Sequence, residues 1–178
     1  MTPLASVVIP AWNGEPFLAN CLASLQRHAR ASYEVIVVDN GSGDRSVEIV
    51  GQFAEARVIR NPINLGFARA INQGARAAQG DIIFLLNQDT AALSDWLTPL
   101  EERLRADARL GIVGCQLLYP DGRVQHAGAR LLEPSWDTEH LREADADTPV
   151  DYVTGAAMAI RRACWNSVGE FDEGFYPA

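Results

Sequence analysis

The chain contains no lysine: all fifteen of its Lys/Arg cations are arginine, a bias for which codon usage in a GC-rich genome accounts. The absence still removes two chemistries. Schiff-base catalysis needs a lysine amine, and a Walker-type phosphate loop needs its lysine. Cysteine is scarce too. Cys21, Cys115 and Cys164 are odd in number and far apart, and no C-x-x-C is present. Neither a zinc ribbon nor a redox pair is expected, and the three read as free, mostly buried thiols of a reducing compartment. No run approaches about 18 apolar residues, so no membrane span is expected. The opening MTPLASVVIPAW lacks the basic segment and apolar stretch of a signal peptide. There is no G-x-S-x-G, and His28, His126 and His140 fall at a helix end, on a strand and in a loop, which fits structural or solvated roles better than hydrolase chemistry.

What is present is enough for one globular core: 178 residues, 48% of them apolar. The formal charge of −8 is local, because residues 133–150, EPSWDTEHLREADADTPV, contribute −5 of it. No basic footprint for nucleic acid remains. The same stretch shows no periodicity and is expected to be a long surface loop.

Alternating strands and helices fill the first 110 residues. ASVVIPAW, YEVIVVD, ARVIRN and DIIFLLNQD read as strands with few charges, and Leu18, Leu22 and Leu25 mark one apolar helical stripe. Val47, Val50 and Phe53 predict a short second helix weakened by Gly51. Phe67, Ala70, Ile71, Gly74, Ala75 and Ala78 predict a third, with Gly80 as its stop. Thr98, Pro99 and Glu101 form a capping-box pattern that opens PLEERLRADA. GIVGCQLLY and RVQHAGARLL are further strands about the turn PDG, and DYVTGAAMAIRRACW gives a strand and a short helix. This order implies an α/β, doubly wound, mostly parallel sheet. In such sheets ligands bind beyond the carboxyl ends of the strands.

Those ends are polar: Trp12-Asn13, Asp39-Asn40, Asn61 and Asn87-Gln88-Asp89. VVDNGSGDRS lacks the third glycine of a dinucleotide fingerprint and follows the second strand rather than the first, which argues against NAD. Ser42 or Asp44 there fits a helix cap, which leaves Asp39 unexplained. Asn87 and Asp89, two residues apart, share one side of an extended chain. An amide and a carboxylate so placed suit a ribose and a divalent cation held partly by substrate phosphates, while such a pair more often marks a turn.

Four segments, VVIPAWNGEPFLANCLASL, EVIVVDNGSGDRS, NLGFARAINQGARAAQGDIIFLLNQDT and DYVTGAAMAIRRACWNSVGEFDEGFY, together resemble the family 2 glycosyltransferases, above all the rhamnosyltransferase-like branch that builds bacterial polysaccharides. The resemblance spans nearly the whole chain outside 133–150. It implies a GT-A fold over 1–178, with 1–110 binding a nucleotide-sugar and 111–178 forming part of the acceptor side. It implies inverting sugar transfer from dTDP-rhamnose or a UDP-sugar to a hydroxyl of a glycan or lipid-linked acceptor, in the cytoplasm or at the inner face of the membrane.

Carried over by motif, Pro10, Trp12 and Asn13 would border the base and ribose, and Asp39 would hydrogen-bond one of them. Asn64, Gly66 and Arg69 would lie near the nucleotide, Arg69 toward the diphosphate. Asn87 occupies the first position of the family's D-x-D and Asp89 the last, as the ligand of Mg²⁺ or Mn²⁺. Gly155 and Ala156 would line the acceptor side. The family continues after FDEGFY with a Glu-Asp pair whose Asp is the general base, whereas this chain ends at FYPA. The resemblance therefore places the base beyond Ala178 and leaves the fold incomplete at its C-terminus, since Asp172 and Glu173 precede that position. Phe171, Phe175 and Tyr176 would then lack partners that a second copy of the chain could supply. The rival expectation is a nucleotide-binding or assembly module without catalysis.

Overall fold

The computed structural model describes residues 5–143, 145 and 148–175; Tyr176 and Ala178, on which two expectations fall, lie outside them. Strands β1 (Ala5–Ala11), β2 (Tyr33–Asp39), β3 (Ala56–Arg60) and β4 (Ile82–Leu86) run parallel in the order β3-β2-β1-β4. Beyond β4 the sheet continues with β10 (Ala157–Arg161) and then β5 (Ile112–Gly114), β10 being antiparallel to both. The later part of the chain thus completes the sheet begun by the earlier part.

The side-chain period of two divides the strands between two cores. Val7, Ile9, Val35, Val37, Phe84 and Leu86 pack on one face with α1 (Leu18–His28), α2 (Ser46–Val50) and α4 (Leu97–Ala106). Val8, Ile36, Val38, Ile83 and Leu85 pack on the other with α3 (Phe67–Ala77) and α5 (Arg162–Val168). Helices on both faces of a mostly parallel sheet confirm the doubly wound expectation.

Several local expectations fail for tertiary reasons. Gly80 does not stop α3, whose last residue is Ala77 and whose cap, Ala78, is extended. The helix end is met by Arg162, which donates to the carbonyls of Ala75, Ala78 and Gly80 at 3.4, 2.9 and 2.6 Å. Its neighbour Arg161 donates to the carbonyls of Leu104, Asp107 and Leu110 at the end of α4. Adjacent arginines at the end of β10 therefore cap helices on opposite faces, where cations also meet the negative ends of the helix dipoles. The capping box does not form either: α4 opens at Leu97, Thr98 Oγ1 is buried without a partner, and Glu101 pairs with Arg105 at 2.8 Å. At α2, Asp44 rather than Ser42 receives the first helical N–H, that of Ser46, at 3.0 Å.

The two strands expected over 111–132 are four short pieces. Besides β5 they are β6 (Leu117–Leu118), paired with β7 (Val124–His126), and β8 (Ala129–Leu132). Residues 133–150, expected to be a loop, contain β9 (Asp137–His140), which pairs antiparallel with β8. Cross-strand pairing, which polar composition does not forbid, orders this part of the acidic stretch.

Gly80 serves close packing instead of helix termination. A Cβ there would meet the backbone of Ala5 and Ser6 at 2.7–2.9 Å, and its N–H donates to Ser6 Oγ at 2.8 Å. Because backbone cannot step aside cheaply, Gly80→Ala is expected to destabilise the fold by about 1–3 kcal/mol in urea titration. Gly43→Ala, whose Cβ meets nothing within 4 Å, is expected to stay within about 0.5 kcal/mol.

Candidate functional site

β1 and β4 pair only from Ala5/Ile82 to Val8/Leu85. Beyond that point β1 keeps its partner β2 as far as Ala11/Asp39, while Asn87 N–H turns to the carbonyl of Ala156 at 2.8 Å. The strands part, and a cleft of about 250 Å³ opens between their carboxyl ends, lined by Pro10, Ala11, Trp12, Asn40, Asn64, Phe67, Asn87, Gln88 and Asp89. It lies where the strand order reverses direction, which is where open α/β sheets bind ligands.

Five expected residues, Pro10, Trp12, Asn64, Asn87 and Asp89, meet in this cleft. Asn87 and Asp89 do so from a turn rather than an extended strand: β4 ends at Leu86, and Thr90 N–H donates to the Asn87 carbonyl at 3.2 Å. Asn87 Oδ1 is buried there without a hydrogen-bond partner. Asp89 is exposed and, among the described residues, is the sole charged one in the lining.

The other residues expected around the nucleotide lie outside the lining. Asn13, at φ 48°, accepts the Gly43 N–H on its Oδ1 at 2.9 Å and gives its own N–H to Ser42 Oγ at 3.0 Å. Asp39 is buried and accepts the Ser42 N–H at 3.4 Å. Gly66, at φ 89°, precedes α3 and accepts from Asn40 Nδ2 at 3.1 Å. Arg69, expected toward a diphosphate, lies outside the cleft lining and donates from Nε to Glu173 at 2.6 Å. The segment 170–175 is strapped to α3 by that pair, by the Arg76–Glu170 pair, and by two hydrogen bonds between Asn72 and the backbone of Phe171.

The loops after β1 and β2 are locked together. Besides the Asn13 bonds, Gly14 N–H donates to Ser46 Oγ at 2.7 Å, Glu15 N–H to Asp44 at 3.0 Å, and Arg45 Nε to Glu15 at 2.8 Å. Burial would raise the Asp44 carboxyl, but hydrogen bonds from Ser46 and from the Glu15 backbone outweigh it and hold the group below its ordinary range. Cys21, whose thiol lies 3.7 Å from the Asn87 carbonyl behind the cleft, is pushed up to about 12 by burial and stays protonated.

Four residues of the lining carried no site role from sequence: Ala11, Asn40, Phe67 and Gln88. Asn40 belongs to a buried amide chain, accepting from Asn61 Nδ2 at 2.8 Å, with Asn61 and Gln73 bonded in both directions at 2.7 and 2.9 Å. Phe67 carries the periodicity of α3 but also forms the wall between the cleft and a second cavity of about 400 Å³. That cavity is apolar apart from Asp172, with Val153, Gly155, Met158, Phe171 and Phe175 around it. Of the two expected acceptor residues, Gly155 lines the second cavity and Ala156 joins it to the cleft through its bond to Asn87.

A model of glycosyl transferase family 2 matches residues 6–167. The chain belongs to this family. It is 29% identical over 196 residues to the O-antigen biosynthesis protein RfbC of Myxococcus xanthus, covering 98% of this chain and 15% of that protein. It is 25% identical over 206 residues to an N-acetylglucosaminyl-diphospho-decaprenol L-rhamnosyltransferase of Mycobacterium tuberculosis, covering 99% and 67%. The glycosyltransferase chain thus spans only a fraction of the length of some relatives, 15% in RfbC. Among solved structures it superposes on Staphylococcus aureus TarS in complex with UDP at TM-score 0.76 and 19% identity, covering 98% of this chain and 52% of that one. It superposes on a Pyrobaculum calidifontis mannosyltransferase in complex with GDP-Man and Mn²⁺ at 0.69 and 21%, covering 97% and 48%. The fold is that of the GT-A glycosyltransferases. No helix among the described residues is long and apolar enough to cross a membrane.

The segment that leads to Gly155 is held by a ring cluster. His126 Nδ1 lies 3.3 Å from His140 Nδ1, Tyr152 Oη lies 3.4 Å from His140 Nε2, and Thr154 N–H donates to His126 Nε2 at 3.2 Å. Burial, and then the neighbouring His140, lowers the pKa of His126 below its ordinary 6.5. The unfolded chain therefore binds the proton more readily, so this contribution to stability is present above about pH 6.5 and is lost as pH falls through the folded value. The urea midpoint is expected to fall between about pH 7 and 5, and His126→Gln to make that fall shallower. An identical pH profile in the variant would exclude His126 as its source.

Proposed function

We propose that the chain is the sugar-transferring domain of a polysaccharide-building glycosyltransferase. It binds a nucleotide-sugar in the cleft between β1 and β4 and receives the acceptor from the side of the second cavity. The observation that carries this reading is the electrostatic character of the cleft: among the described residues its one charge is the carboxylate of Asp89, and no arginine lines it. A nucleotide diphosphate is anionic, so the two can share the cleft only with a cation between them. Asp89 and the unpartnered Asn87 Oδ1 fit a hard divalent ion that takes its remaining ligands from phosphate and water. Among the described residues no group of three acidic, histidine or cysteine side chains could hold a metal by itself, in keeping with a cation that arrives with the donor. When bound, Mg²⁺ or Mn²⁺ would offset the charge that grows on the departing diphosphate.

The protein's own groups supply placement. Trp12, 52% exposed at the cleft mouth, offers its indole face to the base, and Pro10 and Asn64 border the nucleoside. Asp39 and Asn13, from the ends of β2 and β1, and Gly66, from the start of α3, support this end. The attacking group is an acceptor hydroxyl on a glycan or lipid-linked sugar, approaching past Gly155 and Ala156 on the face opposite the leaving diphosphate, which inverts the anomeric centre. The relatives fit this assignment: TarS was solved with UDP, the mannosyltransferase with GDP-Man and Mn²⁺, and the mycobacterial relative is named for rhamnosyl transfer. For this chain the donor proposed is a dTDP- or UDP-sugar.

Calorimetric titration with UDP, dTDP and GDP, each with and without Mn²⁺, tests the reading. The wild-type chain is expected to bind at least one of them more tightly with Mn²⁺. Asp89→Ala is expected to remove most of that gain, weakening metal-dependent binding by at least the roughly 10–100-fold that loss of a metal ligand's supporting partner already costs, with the melting temperature retained. Metal-dependent affinity equal to that of wild type would show the cation site to be misplaced.

A further inference from the structure

The last β1–β4 pair is Val8/Leu85, so the backbone ladder does not hold the end of β1 beside the end of β4. A side chain does. Gln88 Nε2 donates to the Trp12 carbonyl at 3.1 Å, and Trp12 N–H donates to Gln88 Oε1 at 3.1 Å. One carboxamide thus satisfies both backbone groups of one residue, as a neighbouring strand would. Gly14 leaves the room this needs, since a Cβ there would collide with Gln88 Oε1 and with Leu18. The indole of Trp12 is half exposed and makes no ring contact with another aromatic side chain among the described residues. The hydrogen bonds that hold Trp12 among the described residues are the two its backbone makes with Gln88.

We propose that Gln88 is a positioning residue: its carboxamide, clamped to both backbone groups of Trp12, fixes the indole at the mouth of the cleft against the base of the nucleotide. The inference rests on the nucleotide-cleft reading above and adds to it a residue that acts on the nucleoside end without contacting the phosphates. Gln88 lies between Asn87 and Asp89, so one turn places the cation ligand on one side and the base-side clamp on the other. Glutamine meets the chemistry because a carboxamide carries a donor and an acceptor together. Methionine, of similar length, carries neither in useful strength.

The test compares wild type, Gln88→Met, Trp12→Ala and the double variant for binding of UDP and dTDP and of the parent nucleosides, with urea titration of each. Gln88→Met is expected to weaken nucleoside and nucleotide alike by about tenfold, the scale of one or two lost hydrogen bonds. The double variant is expected to bind no more weakly than Trp12→Ala alone, because Gln88 acts through Trp12. Losses that add in the double variant, or a Gln88→Met variant that binds as tightly as wild type, would overturn the role. Where Gln88→Met fails to fold, Gln88→Glu, which keeps the acceptor and loses the donor, is read with the uncharged nucleosides alone, because its added carboxylate repels the diphosphate, and is expected to bind them more weakly than wild type. Hydrogen exchange of the Trp12 amide in the free protein separates this proposal from the reading of the cleft. It is expected to be protected in wild type and to exchange faster in Gln88→Met. A protected amide in the variant overturns the clamp, whereas no nucleotide binding by wild type overturns the cleft reading and with it this role.

Discussion

The geometry of the site depends on the parting of β1 and β4. Two parallel strands that share a ladder from Ala5/Ile82 to Val8/Leu85 lead away from each other at their carboxyl ends, because each finds a different partner there. β1 stays with β2 through Ala11, and the chain after β4 turns to Ala156 at the start of β10. Backbone groups left without a strand must be satisfied in another way, and polar side chains take over: Gln88 on Trp12, Ser42 on Asn13, Ser46 on Gly14. The polar character of these strand ends is thus partly a consequence of the opening that creates the cleft.

The arginines show how a chain without lysine spends its cations. Arg161 and Arg162 cap helix ends, Arg69 and Arg76 strap the segment 170–175 to α3, and Arg45 binds Glu15 across the locked loops. A planar guanidinium with several donors suits carbonyl-rich helix ends and carboxylates better than a single ammonium does. None of these arginines lines the cleft, and the protein carries a net charge of −8. On the proposed reading, an anion in the cleft calls for a separate cation, which would tie metal dependence to how the fold uses its basic residues.

Phe67 links the two cavities. It opens α3 immediately after Gly66, whose positive φ turns the chain into the helix, and its ring stands between the cleft and the space around Gly155. A substituent at Gly155 would approach that ring at 3.3 Å, so a small residue there lets the two spaces lie side by side. The cleft and the second cavity thus share one wall, and the ring cluster of His126, His140 and Tyr152 holds the segment that carries Gly155.

By itself the sequence determined the layered α/β architecture and the edge at which the site lies. Apolar runs such as Val35–Val38 and Ile82–Leu86, and helical faces such as that of Ile71 and Ala75, are local signals whose periods of 2 and 3.6 survive any tertiary arrangement. Trp12, Asn87 and Asp89 could be placed because strand ends are readable and parallel strands end at one edge, whereas Pro10 and Asn64 came from the family resemblance alone. Tertiary structure decided what depends on distant partners: Gln88 meets Trp12 from 76 residues away, and Arg69 meets Glu173 from 104. It also decided that β9 forms within an acidic stretch, that Arg162 rather than Gly80 ends α3, and that Asp39 stays behind the cleft. A side chain's hydrogen-bonding capacity is written in its identity, but the partner that uses it is set by which strands and helices the two cores bring together.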